Sequence, residues 1–239
     1  MKKLSILFEY PRKHPIITTM DKAVEPATNA PSSTRRAYLA LRDSIITGEI
    51  EPGQRLKVET LKEQLQTGAS PVREALSLLT SDQLVERLDQ RGFRVAQTSR
   101  AQFDEILKLR CQLEVLALKE SIEHADSAWE DALVLAHHRM TRADRSATRE
   151  FEALHKGFHM ALLANCPSPI LLRFCEQLYD LNVRYRFLAG RAKSYGRRKV
   201  EAEHREILDA AVRRDAEGAS ERLVEHYGKT GAFLADQIS

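Results

Sequence analysis

SPVREALSLL, residues Ser70 to Leu79, reads as a helix that starts abruptly and carries two unlike faces. Ser70 suits the N-cap and Pro71 the first helical position, where a missing N–H costs nothing. Val72, Ala75, Leu76 and Leu79 recur at i, i+3, i+4 and i+7, one apolar stripe that requires a core. Arg73 and Ser77 fall on the other face. An arginine in the first turn sits at the positive end of the helix dipole, which is unfavourable unless an outside anion, such as a phosphate or a guanine edge, compensates it.

Upstream, Tyr38, Leu41 and Ile45 mark an amphipathic helix ended by Gly48 and the Pro52–Gly53 turn, and Leu61 with Leu65 marks a second, short one. Thr67, Gly68 and Ala69 join it tightly to Ser70. Two short helices, a small turn and a helix with an outward arginine spell a helix-turn-helix. Downstream, Leu84 to Leu88 and Phe93 to Val95 read as strands around Asp89-Gln90-Arg91-Gly92, a hairpin with a basic tip, hence a wing.

In this order ITGEIEPGQRL, LKEQL, SPVREALSLL and RGFRVAQTS resemble the DNA-binding domain of GntR-family transcription regulators, over about residues 34–99. The ordered set is far more specific than any one motif. The resemblance implies a winged helix-turn-helix in which Ser70, Arg73, Ser77, Arg91 and Gly92 meet double-stranded DNA. Glu59 and Ala69 stand where arginines can occur in such readers, so the operator sequence is not legible.

The chain has 239 residues, 43% hydrophobic and 30% charged, the composition of a soluble globular protein of one large or two ordinary domains. No apolar run approaches the length that spans a bilayer, and Leu4 to Phe8 is too short for a signal-peptide core, so a cytoplasmic protein without a membrane partner is expected. Cys111, Cys166 and Cys175 fit neither a disulfide framework nor a zinc ribbon and read as small buried residues. Net charge is only +3, but residues 1–99 hold 15 Lys and Arg against 12 Asp and Glu, whereas the rest hold 22 of each. The whole excess sits with the DNA reader. Being modest, it argues for a homodimer on a two-fold symmetric operator, where the second copy supplies further phosphate contacts.

Residues 1–32 carry no sustained period and are expected to be a disordered extension, with Met20 as good a start as Met1. Residues 33–99 form the reader. From 100 to 239 the pattern is all helical: Phe103 to Ala117, Trp129 to Ala136, Phe151 to Leu162, a segment capped by Ser168, Glu201 to Val212, and Ala219 to Leu234. The expected architecture is mainly α, a winged helix-turn-helix followed by a bundle of about six helices with a central cavity.

Eight histidines are present. His155 and His159, four apart, stack on one helix face; His204 lies near Ile207 and Leu208, and His226 near Leu223. Imidazoles from three helices converging in a bundle can bind a divalent metal such as zinc or nickel, although histidines on apolar faces also occur simply as hydrogen-bonded core residues. His124, His137 and His138 lack such alignment and are expected in solvent. Arg110 lies inward, between Leu107 and Leu113, either paired with Glu114 one turn on or facing a pocket. Arg184 and Arg186 flank Tyr185 in a span, Leu181 to Val200, with seven basic residues and no acidic one. A planar guanidinium suits bidentate capture of a carboxylate, whereas the Arg191 to Lys199 cluster reads as solvated.

FHMALL, AEHREILDAAVRRDAEGA and LVEHYGKT are similar to the FCD effector domain that follows the reader in the FadR subfamily. That resemblance implies metal ligation by His155, His159, His204 and His226, with histidine at 155 where aspartate is usual. A metal site and a metal-free polar pocket both remain open. It also implies an effector contact by Arg110, to which Arg184 and Arg186 are added as candidates on their guanidinium chemistry. CPSPILLRFCEQLYDLNVRYRF is particularly similar to regulators of the CsiR type, which points to a small dicarboxylate effector.

The expected function is a ligand-responsive repressor released from DNA by a small carboxylate. A metal-dependent hydrolase is the alternative from another class, but His155-Lys156-Gly157-Phe158-His159 lacks the glutamate of an HExxH site. A constitutive architectural DNA binder would leave the pocket unexplained.

Overall fold

The computed structural model describes residues 31–89, 91–144, 148–190 and 200–235. Residues 1–30 of the N-terminal extension, with both candidate starts, Gln90 in the wing turn and the Arg191 to Lys199 cluster lie outside them.

Helix α1 (Ser33–Ile46) is capped by Ser32, whose hydroxyl accepts from the Arg35 N–H at 3.1 Å. It buries Ala37, Leu41, Ile45 and Ile46 against the stripe of α3. A two-residue strand β1 (Arg55–Leu56) follows, then α2 (Val58–Gln64) and α3 (Ala69–Ser81). The expected cap is corrected here: Gly68, in extended conformation, holds the cap position, α3 begins at Ala69, and Ser70 is an exposed second residue. The cause lies one turn earlier. Gln66 adopts a left-handed φ of 48°, and the N–H groups of Gln66 and Thr67 donate to Glu63 O and Lys62 O, which reverses the chain before Gly68. Pro71 still forfeits nothing, because the first four helical N–H groups have no intrahelical acceptor.

Strands β2 (Val85–Leu88) and β3 (Gly92–Val95) pair antiparallel, Glu86 opposite Arg94 and Leu88 opposite Gly92. β1 adds to the outer edge of β3, giving the order β1-β3-β2. Gly92 has φ of 86°, a left-handed conformation that glycine takes without strain and that lets the hairpin close after Arg91.

Six helices follow among the described residues: α4 (Arg100–Glu123), α5 (Ser127–Arg142), α6 (Thr148–Leu163), α7 (Pro169–Gly190), α8 (Val200–Val212) and α9 (Ala216–Ala235). Ser99 and Asp126 cap α4 and α5 through the N–H groups of Gln102 and Trp129. α4 packs on α7 and α9, α5 on α6, and α8 on α9. Gly231 of α9 packs directly on the Leu107 side chain of α4, where a Cβ would lie 2.3 Å from Leu107 Cδ2. One core, around Leu118, Leu133, Phe158, Leu162, Ile207 and Leu223, belongs to the bundle alone. The other runs without a break from Leu41, Leu76 and Val95 of the reader into Phe103, Tyr185 and Leu234. Reader and bundle therefore share a core, and the described residues from Ser32 onward form one compact unit. No described helix is long and apolar enough to cross a membrane.

His137 also departs from expectation. It is buried, edge-on to Phe158, because α5 turns that face toward α6.

Candidate functional site

The reader presents one polar face. Val72, Ala75, Leu76 and Leu79 are buried, which leaves Ser70, Arg73 and Ser77 exposed together on the opposite side of α3. No acidic residue occupies the first turn, so the positive helix terminus and Arg73 reinforce each other. Glu74 is engaged by Thr34 Oγ1 at 2.8 Å and Glu59 by Lys62. Arg91 and Gly92 are exposed at the wing turn.

The second constellation lies inside the bundle, where polar side chains interrupt otherwise apolar faces. On α4 the buried stripe of Phe103, Ile106, Ala117 and Leu118 is broken by Arg110 and Glu114. Arg110 Nε donates to Glu114 Oε1 at 2.6 Å and Nη1 to Asn182 Oδ1 at 2.9 Å. Its guanidinium lies between the rings of Tyr179 and Tyr227, 4.9 and 4.2 Å from their centroids. Nη2 has no hydrogen-bond partner among the described residues. So the two readings of Arg110 coincide: it is paired with Glu114 and still offers one buried donor. Arg186 is held similarly, with Nη2 donating to Glu152 Oε2 at 2.6 Å and to the Tyr179 hydroxyl at 3.0 Å. Burial raises the Glu152 carboxyl above its ordinary range, against the pull of Arg186.

Beside these arginines, α6, α8 and α9 bring His155, His159, His204 and His226 together. All four are buried, and one ligand-capable atom from each lies within 4.8 Å of the others. Burial, reinforced by neighbouring cations and imidazoles, holds His155 and His159 well below the usual imidazole range, which favours neutral rings. The hydrogen-bond network fixes the tautomers of two of them. Tyr227 donates its hydroxyl proton to Glu114, so its oxygen accepts from His159 Nδ1–H at 3.0 Å, and His226 Nδ1–H donates to Glu203 Oε2 at 2.7 Å. Both leave Nε2 with a lone pair. His159 Nε2 is buried without a partner among the described residues, and carboxylates stand behind the rings as they do in histidine metal sites. The donor set therefore fits a divalent metal such as zinc.

Two expectations are corrected. Arg184 is not in this constellation: it lies two residues from Arg186, on the other side of α7, where Nη2 donates to Ala96 O at 2.5 Å just after the wing. Burial there pulls its guanidinium down to about 10. The expected central cavity is closed to about 10 Å³, beside Arg110, His155, Asn182, Arg186 and His226, room for about one water at most and not for a carboxylate. Sequence reasoning missed Tyr179, Asn182, Tyr227, Glu203 and Glu152. Only Glu152 was signalled, lying three residues before His155 and so on the same face.

Both halves match known families. Residues 33–95 match the model of bacterial regulatory proteins of the gntR family, and residues 105–229 match the FCD domain. The chain belongs to the GntR family of transcription regulators. This GntR regulator is 34% identical over 213 residues to the uncharacterized HTH-type transcriptional regulator BphR of Paraburkholderia xenovorans (strain LB400), covering 86% of each chain. It is 34% identical over 197 residues to the HTH-type transcriptional repressor GlaR of Escherichia coli (strain K12), covering 79% of this chain and 90% of the relative. Among solved structures, E. coli McbR/YncC aligns with a TM-score of 0.77 at 26% identity, over 87% of this chain and 99% of the other. These matches to regulators span both halves, so the hydrolase alternative is set aside: this is a DNA-binding transcription regulator with an FCD domain, not an enzyme.

Proposed function

We propose that this GntR regulator is a cytoplasmic homodimeric repressor that leaves a two-fold symmetric operator when a small carboxylate, in particular a dicarboxylate, binds inside residues 100–239. Residues 33–99 read DNA through Ser70, Arg73, Ser77, Arg91 and Gly92. Arg110 and Arg186 receive the carboxylate. His155, His159, His204 and His226 surround a divalent metal, zinc or nickel, which supplies a Lewis-acidic anchor for an effector oxygen. The observation that carries the reading is the buried Nη2 of Arg110 next to the histidine cluster, because a buried donor of fixed charge calls for an acceptor, and none is supplied among the described residues.

Since the cavity holds about 10 Å³, an effector must select a more open arrangement of α4, α7 and α9. Those helices carry part of the core shared with the reader, so an effector that prefers the open arrangement also acts on the reader. A thermal-shift screen of metal-loaded protein against small mono- and dicarboxylates tests the reading. An upward shift with a dicarboxylate that disappears in Arg110→Lys, which keeps the charge but loses the fork, is expected; no shift with any acid would refute it.

A further inference from the structure

The four histidines are not equivalent, and the difference lies behind the rings. His159 and His226 each point Nδ1 at an acceptor system, Tyr227 backed by Glu114 and the Glu203 carboxylate. His155 points Nδ1 at donors. Arg186 Nη1, which can only donate, lies 3.2 Å away. The Tyr179 hydroxyl lies at 2.6 Å and already accepts from Arg186 Nη2, so its own proton is directed to His155 Nδ1. The Glu152 oxygen nearest to Nδ1 is 3.9 Å away, beyond hydrogen-bond reach, and is engaged by Arg186. Nδ1 of His155 is therefore an acceptor, and the proton of the neutral ring sits on Nε2. That Nε2–H points into the cluster, 3.2 Å from His204 Nε2.

Resting on the metal reading above, we propose that His159, His204 and His226 alone ligate the metal, and that His155 is the donor to a small anion held on the metal's open position. A protonated nitrogen cannot ligate, and moving its proton to Nδ1 would set an N–H against the Arg186 guanidinium. Once His204 Nε2 is taken up as a ligand, the Nε2–H of His155 loses its acceptor, and a buried donor without one is costly. A carboxylate or another small oxyanion restores it. Histidine at 155 thus exchanges a position that could supply an anionic ligand for one that recruits an anion from outside.

Two measurements on the full-length chain test this. In metal-free, ¹⁵N-histidine-labelled wild-type protein, long-range ¹H–¹⁵N spectra should place the proton of His155 on Nε2 and those of His159 and His226 on Nδ1; a proton on Nδ1 of His155 would overturn the inference. Cobalt(II) titrations followed by visible absorption should then separate the roles, with circular dichroism confirming the fold of each variant. His155→Gln, which keeps an N–H donor, should bind cobalt within about threefold of wild type, whereas His159→Gln should lose roughly 100-fold or more. Azide, as probe anion, should perturb the wild-type cobalt spectrum and bind roughly tenfold more weakly to His155→Ala than to His155→Gln. Equal loss of cobalt in the His155 and His159 variants, or a spectrum blind to azide, would refute the three-ligand assignment alone. No cobalt uptake by wild type would instead refute the metal reading on which it rests.

Discussion

Arg110 shows how one side chain can serve the core and, on the function proposed above, an effector as well. Its pairing with Glu114 keeps a buried cation compatible with the core, and the stacked tyrosines shield it, yet one nitrogen has no partner among the described residues. Breaking that pair strands a charge, so Glu114→Ala should destabilise the fold by about 3–5 kcal/mol in urea unfolding; a loss below about 1 kcal/mol would mean the pair is not the chief compensation. The buried histidines make a second prediction, on metal-stripped protein. The imidazoles of His155, His159 and His137 are depressed by burial relative to the unfolded chain. Below an unfolded value of about 6.5 the unfolded state therefore binds more protons than the native state, and stability falls with pH. Their contribution is complete above that value and is lost as pH drops toward the folded values. Melting temperatures of chelator-treated protein should decline from pH 7.5 to 5.5, and metal should counter the decline; a flat profile would argue against neutral, buried rings.

Among the elements, α3 and α7 mark opposite extremes of legibility. α3 is half buried, so its apolar stripe discloses which face is left exposed, and on the proposed function Arg73→Ala should abolish operator binding with the melting temperature unchanged. If Arg73 met only phosphate, the slope of affinity against salt would fall by about one instead, with affinity lost uniformly across sequences. α7 is buried on every side from Tyr179 to Arg186, because the reader covers one flank and the bundle the other. Its amphipathic phase therefore carried no information, and nothing in RYRF distinguished Arg186, which faces His155, from Arg184, which faces the wing exit. The same limit hid Tyr179 and Asn182. The pair His155 and His159 was legible because both share one helix; its partners Tyr227 and Glu203 depend on how α8 and α9 are rotated, which local spacing does not encode. The two-residue β1 is too short to show a period. The three α-helix ends at Gln66, Gln83 and Arg214 take left-handed φ without glycine, so the usual stop signal was missing there.

For the whole molecule, the decisive feature is that the histidine helix also grips the reader. On α6, Lys156 follows His155 and donates to Asp180 at 2.9 Å, and Asp180 also binds Arg42 of α1. Six residues before His155, in its first turn, α6 places Arg149 against Asp43 and Glu49, beside the end of α1. Asp180 itself follows Tyr179, the ring between the two pocket arginines. A shift of Tyr179 or His155 on effector binding would thus be felt at α1 through two adjacent residues. Asp180→Asn should leave operator and carboxylate affinities each within a few-fold of wild type while shrinking the effect of one on the other, since coupling is the differential contact between two states. Unchanged coupling in that variant would assign the transmission to the shared apolar core.

The most direct test of the account is operator affinity itself: fluorescence anisotropy with a duplex selected by the purified, metal-loaded protein, in the presence and absence of the dicarboxylate that raises its melting temperature. The acid should weaken operator binding at least about tenfold in wild type, a coupling of about 1.4 kcal/mol, and leave Arg110→Lys unaffected. Operator binding that is equally tight with and without the acid would contradict it.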